Sequence, residues 1–114
     1  MALEFTGRPD RHGPALYLID KGRSDDEKLI ALGVAVDDAT SEDTQVVYLK
    51  ATSAEAQKIT SFYAVTQFPA VLIVLDNAQL AQSWTYHLPR AEEVIYAIGR
   101  AGARMRGDQS AHSH

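Results

Sequence analysis

The stretch FYAVTQFPAVLIVL, residues 62–75, joins an aromatic pair, a short polar turn, a proline and a continuous apolar run. The six apolar residues 70–75 predict a strand that is buried on both faces of a sheet. Proline has no N–H to donate to a strand ladder, so Pro69 suits the first position of that strand. Residues 62–75 therefore predict a helix end, a turn and a strand.

Working outward from this stretch, hydrophobic spacing and capping residues predict seven elements. In chain order they are strand 15–20, helix 24–36, strand 45–50, helix 53–63, strand 70–75, strand 79–86 and a last helix from Pro89 to about residue 102. A right-handed β-α-β crossover makes the first two strands parallel. The order predicts an α/β fold, β-α-β then β-β-α, with a central mixed four-stranded sheet flanked by helices.

This pattern divides the 114 residues into one domain and two flanking segments. Residues 1–14 hold two prolines and two glycines and predict an extended N-terminal arm. Residues 15–103 form the predicted domain. Residues 104–114 are polar, and we expect a disordered tail there.

The first helix has a clear predicted start. Ser24 is the expected N-cap, and Glu27 lies three residues later, as in a capping box. Asp25 and Asp26 add negative charge at the positive end of the helix dipole. The simplest role of this acidic segment is to begin the helix.

Composition excludes several classes of protein. The chain has no cysteine, which excludes disulfides, thiolate metal sites and thiol catalysis. No apolar run approaches the roughly 20 residues of a membrane span, and residues 1–5 do not resemble a signal peptide. We therefore expect a cytoplasmic protein without membrane insertion.

Charge is unevenly distributed along the chain. Residues 20–55 carry nine acidic and four basic side chains, a net charge of −5, within a total of −4. A nucleic-acid-binding surface would need the opposite sign, so nucleic acid is not an expected partner. The acidic half is consistent either with a solubilising surface or with attraction of a basic peptide.

The element order, with Phe68-Pro69 before a hairpin strand, resembles the thioredoxin-like superfamily. That resemblance implies a cis Phe68–Pro69 peptide bond and a Phe68 backbone that pairs with an extended peptide; the residues alone also allow a trans proline. In that family the redox dithiol lies after the first strand and at the start of the next helix, where this chain has Ser24 and carboxylates. The peptide-binding residues expected from the resemblance are Gln67, Phe68 and Pro69, with Ser24, Asp25, Asp26 and Glu27 at the rim.

Three segments, 45–56, 62–70 and 86–92, are similar to a cysteine-less branch of that superfamily, the hydrogenase expression proteins of the HyaE/HupG type. Ala64 stands where that branch usually has glycine, and Leu88 is inserted in its His-Pro motif. The resemblance implies an accessory chaperone for maturation of an uptake nickel–iron hydrogenase. Its partner would be the small subunit or that subunit's twin-arginine signal peptide.

Two other functions remain open on the sequence. One is a thioredoxin-fold scaffold for an unrelated protein partner. The other is a glutathione-binding enzyme that uses the hydroxyl of Ser24 or Tyr17, although no histidine adjoins Ser24 in sequence to act as a base. The four histidines form no metal-binding pattern, so we expect a non-enzymatic protein without a cofactor, of unknown oligomeric state.

Overall fold

A computed structural model describes residues 14–21, 26–40, 44–75 and 78–110, with the backbone alone for 104–110. The seven elements occur in the predicted order. They are β1 (Ala15–Asp20), α1 (Glu27–Ala39), β2 (Gln45–Lys50), α2 (Ala54–Phe62), β3 (Ala70–Val74), β4 (Leu80–Thr85) and α3 (Ala91–Ser110).

The four strands form one mixed sheet in the order β2-β1-β3-β4. Strand β1 pairs in parallel with β2, so that Asp20 lies beside Lys50. On its other side β1 pairs antiparallel with β3, which places Ile19 beside Ala70. The hairpin of β3 and β4 makes β4 an edge strand. The predicted mixed four-stranded sheet is confirmed.

Helices cover both faces of this sheet, as predicted. Alternate residues of β1 and β3 point to opposite faces, which gives two apolar clusters. The first lies under α1 and α3 and includes Leu16, Leu18, Leu29, Leu32, Val36, Val71, Ile73, Val94 and Ile98. The second lies under α2 and includes Tyr17, Ile19, Ala56, Ile59, Leu72 and Val74. The full burial of β1 and β3 explains their unbroken apolar sequences.

The helix starts differ from the prediction at two places. Asp26, not Ser24, is the N-cap of α1, because its carboxylate accepts hydrogen bonds from the backbone N–H groups of Lys28 and Leu29. Ser24 itself lies outside the described residues. Helix α3 begins at Ala91 rather than at Pro89, since the first carbonyl accepting from the helix belongs to Arg90.

The second half of the chain differs from the prediction in two further details, the length of β4 and the end of α3. Strand β4 is one residue shorter at each end than the predicted 79–86. Trp84 packs on the first cluster, whereas Tyr86 follows the strand and is 59% exposed. The backbone of α3 is helical to Ser110, beyond the predicted end of the domain at residue 103. Disorder of the tail in solution stays a prediction. Within the described residues no helix is long and apolar enough to cross a membrane.

Candidate functional site

One end of the sheet gathers most of the residues that the sequence analysis selects. It is formed by the last residues of β1, β2 and β4 and the first residues of β3, and we call it the site end. Backbone bonds tie it together: the Ala51 N–H donates to the Asp20 carbonyl at 3.1 Å, and the Tyr86 N–H donates to the Pro69 carbonyl at 2.9 Å. Helix α1 begins at the same end, since it follows β1.

A buried carboxylate lies at the centre of the site end. Asp20 is fully buried, and its carboxylate accepts a hydrogen bond from the Tyr48 hydroxyl. The Lys50 ammonium lies 3.6 Å from the same carboxylate oxygen, and its side chain is 42% exposed. Burial of a charge is tolerated only with partners of this kind. Asp20 is therefore held in place by two residues of the neighbouring strand.

The Tyr48 hydroxyl also connects this carboxylate to helix α1. It accepts a hydrogen bond from the backbone N–H of Asp26 at 3.3 Å while it donates to Asp20. Desolvation raises the pKa of Tyr48, and the hydrogen bond to Asp20 raises it further. The hydroxyl thus stays protonated at neutral pH and fixes the start of α1 against the ends of β1 and β2.

The Phe68–Pro69 peptide bond is cis, which confirms the isomer that the resemblance implies. Pro69 is buried, and Phe68 is half-buried with its side chain against the second apolar cluster. Among the described residues, neither the N–H nor the C=O of Phe68 has a hydrogen-bond partner. A donor and an acceptor of one residue are therefore available at the site end.

Tyr86 is a site-end residue that lies outside the predicted peptide-binding set. Its backbone φ is 76°, in the left-handed region that non-glycine residues seldom adopt. Its ring is exposed and meets His87 edge-on, with 4.6 Å between ring centroids. Because the Tyr86 N–H binds the Pro69 carbonyl, this exposed aromatic ring belongs to the residue paired with the proline.

The remaining predicted site residues are only partly assembled. Gln67 and Glu27 are exposed, and Asp26 is occupied as the helix cap. Ser24 and Asp25 lie outside the described residues. Of the predicted rim residues, Asp26 and Glu27 lie at the same end of the sheet as Phe68 and Pro69, because α1 begins there.

The acidic side chains of residues 20–55 that the structure describes lie at both ends of the sheet. Asp37 and Asp38 lie in the last turn of α1, at the opposite end from Glu27. At the site end, the exposed Lys21 and Lys28 offset part of the acidic charge. Of the nine acidic side chains in the count of −5, Asp37 and Asp38 therefore lie away from the site end.

Two other tyrosines, Tyr17 and Tyr63, serve the core. Tyr17, one candidate hydroxyl for glutathione, is 1% exposed within the second cluster and does not reach the surface. The Tyr63 hydroxyl donates to the Ala78 carbonyl beside the β3–β4 turn, and burial raises its pKa to about 12. In the described part of the chain, no group of three or more metal-ligating side chains is close enough to hold an ion.

Comparison with known proteins supports the architecture. The chain is similar to chloroplastic thioredoxin z, with 14% identity and a TM-score of 0.57 over 82% of this chain and 81% of that one. It is also similar to thioredoxin O2 of Arabidopsis thaliana in its oxidized state, with 7% identity and a TM-score of 0.56 over 78% and 75% of the two chains. A malarial protein aligns at 9% identity and a TM-score of 0.58, over 78% of this chain and 97% of its own.

These similarities show that the fold is thioredoxin-like, as predicted. At such low identities the similarity shows the fold alone. No family profile matches the sequence, and no curated protein matches it.

Proposed function

We propose that this chain is a non-enzymatic binding protein that takes up an extended peptide as an added strand at Phe68. The observation that supports the proposal is that the N–H and C=O of Phe68, at the site end, have no hydrogen-bond partner within the part of the chain that the structure describes. Strand addition obtains its affinity from such main-chain groups. The absence of cysteine means that the same surface cannot exchange disulfides.

The more specific proposal concerns the partner. We propose the hydrogenase small subunit, held through its twin-arginine signal peptide before export and therefore in the cytoplasm. The sequence resemblance supports this assignment, and the exposed Glu27 offers one carboxylate at the site end for an arginine. Arginine binds carboxylates well through paired N–H groups.

Backbone pairing can be tested with a matched peptide pair. We would titrate isotope-labelled protein with a twin-arginine leader peptide and with the same peptide N-methylated at alternate residues. The expected result is a shift of the Gln67, Phe68 and Tyr86 amide resonances by the first peptide only. Binding that tolerates N-methylation, or that shifts amides elsewhere, would contradict strand addition.

The role of charge needs a separate comparison. The variant Asp25→Lys/Glu27→Lys alters the site end and leaves the Asp26 cap intact. The matched control, Asp37→Lys/Asp38→Lys, makes the same charge change at the opposite end of α1. We expect leader affinity to fall with added salt and with the first variant only. Equal effects of the two variants would exclude a specific contact between Glu27 and the arginines.

A second candidate is a thioredoxin-fold scaffold with an unrelated partner. The observation in its favour is that, among the described residues, two exposed lysines, Lys21 and Lys28, lie in the same segment as Glu27 at the site end. Such a scaffold would bind the leader no better than a scrambled peptide. Affinity capture from the native host would then recover a partner other than hydrogenase components.

A further inference from the structure

A second surface runs along the edge strand β4 and helix α3, from the site end toward the opposite end of the sheet. There the structure forms a groove of about 740 Å³. Its floor is apolar and includes the half-buried Trp84 and Ala97, while Glu93, Tyr96 and Arg100 of α3 line its side. Tyr96 is 68% exposed, the largest exposure among the large hydrophobic side chains described. An exposed aromatic beside an apolar groove indicates an interaction surface.

The charges on this surface have a symmetrical arrangement. Glu93 and Arg100 are seven residues apart, which is about two turns, so both lie on the same side of α3. They are separated by about 10.5 Å along the axis, at 1.5 Å per residue, and form no ion pair with each other among the described contacts. The Arg100 guanidinium instead lies 5.9 Å from the centre of the Tyr96 ring.

We propose that the occupant of this groove is a second copy of the chain, docked through α3 about a two-fold axis. In an antiparallel pair of α3 helices with the axis between Tyr96 and Ala97, Glu93 of each copy faces Arg100 of the other. The surface is thus complementary to itself, as a two-fold interface requires. Each Tyr96 ring would pack against the small Ala97 side chain of the other copy.

The charge pattern along α3 suits this arrangement as well. Antiparallel helices also bring the acidic first turn, with Glu92 and Glu93, against the half of the partner helix that carries Arg100. Their dipoles favour the same orientation.

Complementary charge reversal tests this docking directly. Glu93→Arg gives a copy with two arginines on the surface, and Arg100→Glu gives a copy with two glutamates. Each variant alone would repel itself, whereas an equimolar mixture would satisfy both contacts. We would measure association of the wild type, of each variant and of the mixture by sedimentation equilibrium over a concentration series.

The expected result is a wild-type dimer, a dissociation constant raised at least about tenfold in each variant, and recovery in the mixture. A wild type that stays monomeric, variants that associate like the wild type, or a mixture that stays dissociated would each overturn the proposal. Glu55→Arg and Lys58→Glu are the matched controls, since both residues are exposed on α2, across the sheet. Neither control should change association.

Glu93 also lies in the first turn of α3, so reversing its charge can weaken that helix by itself. Circular dichroism of each variant would show whether the fold is kept. If a charge variant unfolds, Tyr96→Arg replaces it, because this substitution places like charges on the two sides of the axis at an exposed residue. A folded Tyr96→Arg variant that dimerises like the wild type would also overturn the proposal.

Discussion

Removal of the Tyr48 hydroxyl should destabilise the whole domain through the site end. Tyr48→Phe keeps the ring but deletes the group that donates to the Asp20 carboxylate and accepts from the Asp26 N–H. Asp20 is fully buried, and its remaining ion-pair partner, the partly exposed Lys50, is 3.6 Å away. The buried charge would therefore lose its closest described partner.

The size of the effect follows from these contacts. A hydrogen bond to a charged group contributes about 1.5–3 kcal/mol, and a buried acceptor left without it bears its desolvation cost. The Asp26 N–H lies at a helix start, where water can replace the lost acceptor, so it adds little. We expect the free energy of unfolding to fall by about 2 kcal/mol, and the melting temperature by about 10 °C for a domain of this size.

The assay is urea unfolding at neutral pH with the wild type and Tyr48→Phe. Tyr86→Phe is the matched control, because it removes a tyrosine hydroxyl from an exposed ring at the same end of the sheet. The control should stay within about 0.5 kcal/mol of the wild type. A Tyr48→Phe variant equally close to the wild type would refute the reasoning that this hydroxyl supports the buried carboxylate.

Three other predictions concern the helices and pH. Gly33→Ala should lower the unfolding free energy by about 1–3 kcal/mol, because the new Cβ would lie 2.5 Å from Cδ1 of the buried Leu18. Gly99→Ala should instead raise it by about 0.5–1 kcal/mol, because its Cβ would meet open space. Urea unfolding of dilute protein measures both. Asp26→Ala should cost about 1 kcal/mol by loss of the cap and Asp26→Ser much less, measured the same way. The pKa of Tyr63 is raised to about 12 in the folded protein, so the unfolded chain releases this proton near pH 10 and the folded chain does not. The stabilisation that comes from keeping the Tyr63 hydroxyl protonated should be full below pH 10 and lost between about pH 10 and 12. The difference in unfolding free energy between the wild type and Tyr63→Phe should therefore shrink over that range. A difference that stays constant would contradict this prediction.

The fold could be predicted from the sequence because its strongest patterns coincide with its most buried elements. The apolar runs at 15–20 and 70–75 are the two central strands, and each is buried on both faces. In α1 the residues spaced for one face, Leu29, Leu32 and Val36, are the ones that enter the core. Burial imposes a period on sequence, and that period can be recognised without a structure.

The exact helix start could not be predicted from local pattern. Residues 24–26 are all of types that cap helices, so the pattern alone does not choose among them. A contact from outside the segment, the Tyr48 hydroxyl on the Asp26 N–H, accompanies the choice of Asp26. Capping preferences act locally, whereas this contact spans 22 residues.

The buried pair of Asp20 and Tyr48 depends on strand register. The two residues are 28 positions apart, and they meet because β1 and β2 pair with Ala15 beside Gln45. The sequence shows that a charged residue, Asp20, ends an apolar run, but its partner Tyr48 can be identified only from the strand register. The positive φ of Tyr86 could not be predicted from the sequence either, because the position carries neither glycine nor asparagine.

The two proposed surfaces have a geometric relation that makes their independence testable. Helix α3 begins five residues after Tyr86, at the site end, and runs toward the opposite end of the sheet. In an antiparallel pair of α3 helices, the two site ends therefore face in opposite directions, and each Phe68 packs with the apolar cluster on the face of its own sheet opposite to α3. Docking through α3 and peptide binding at Phe68 should not compete. Glu93→Arg should thus leave peptide affinity unchanged while it raises the dissociation constant of the dimer at least about tenfold. A joint loss of both would mean that the second copy, not the Phe68 backbone alone, forms the peptide site.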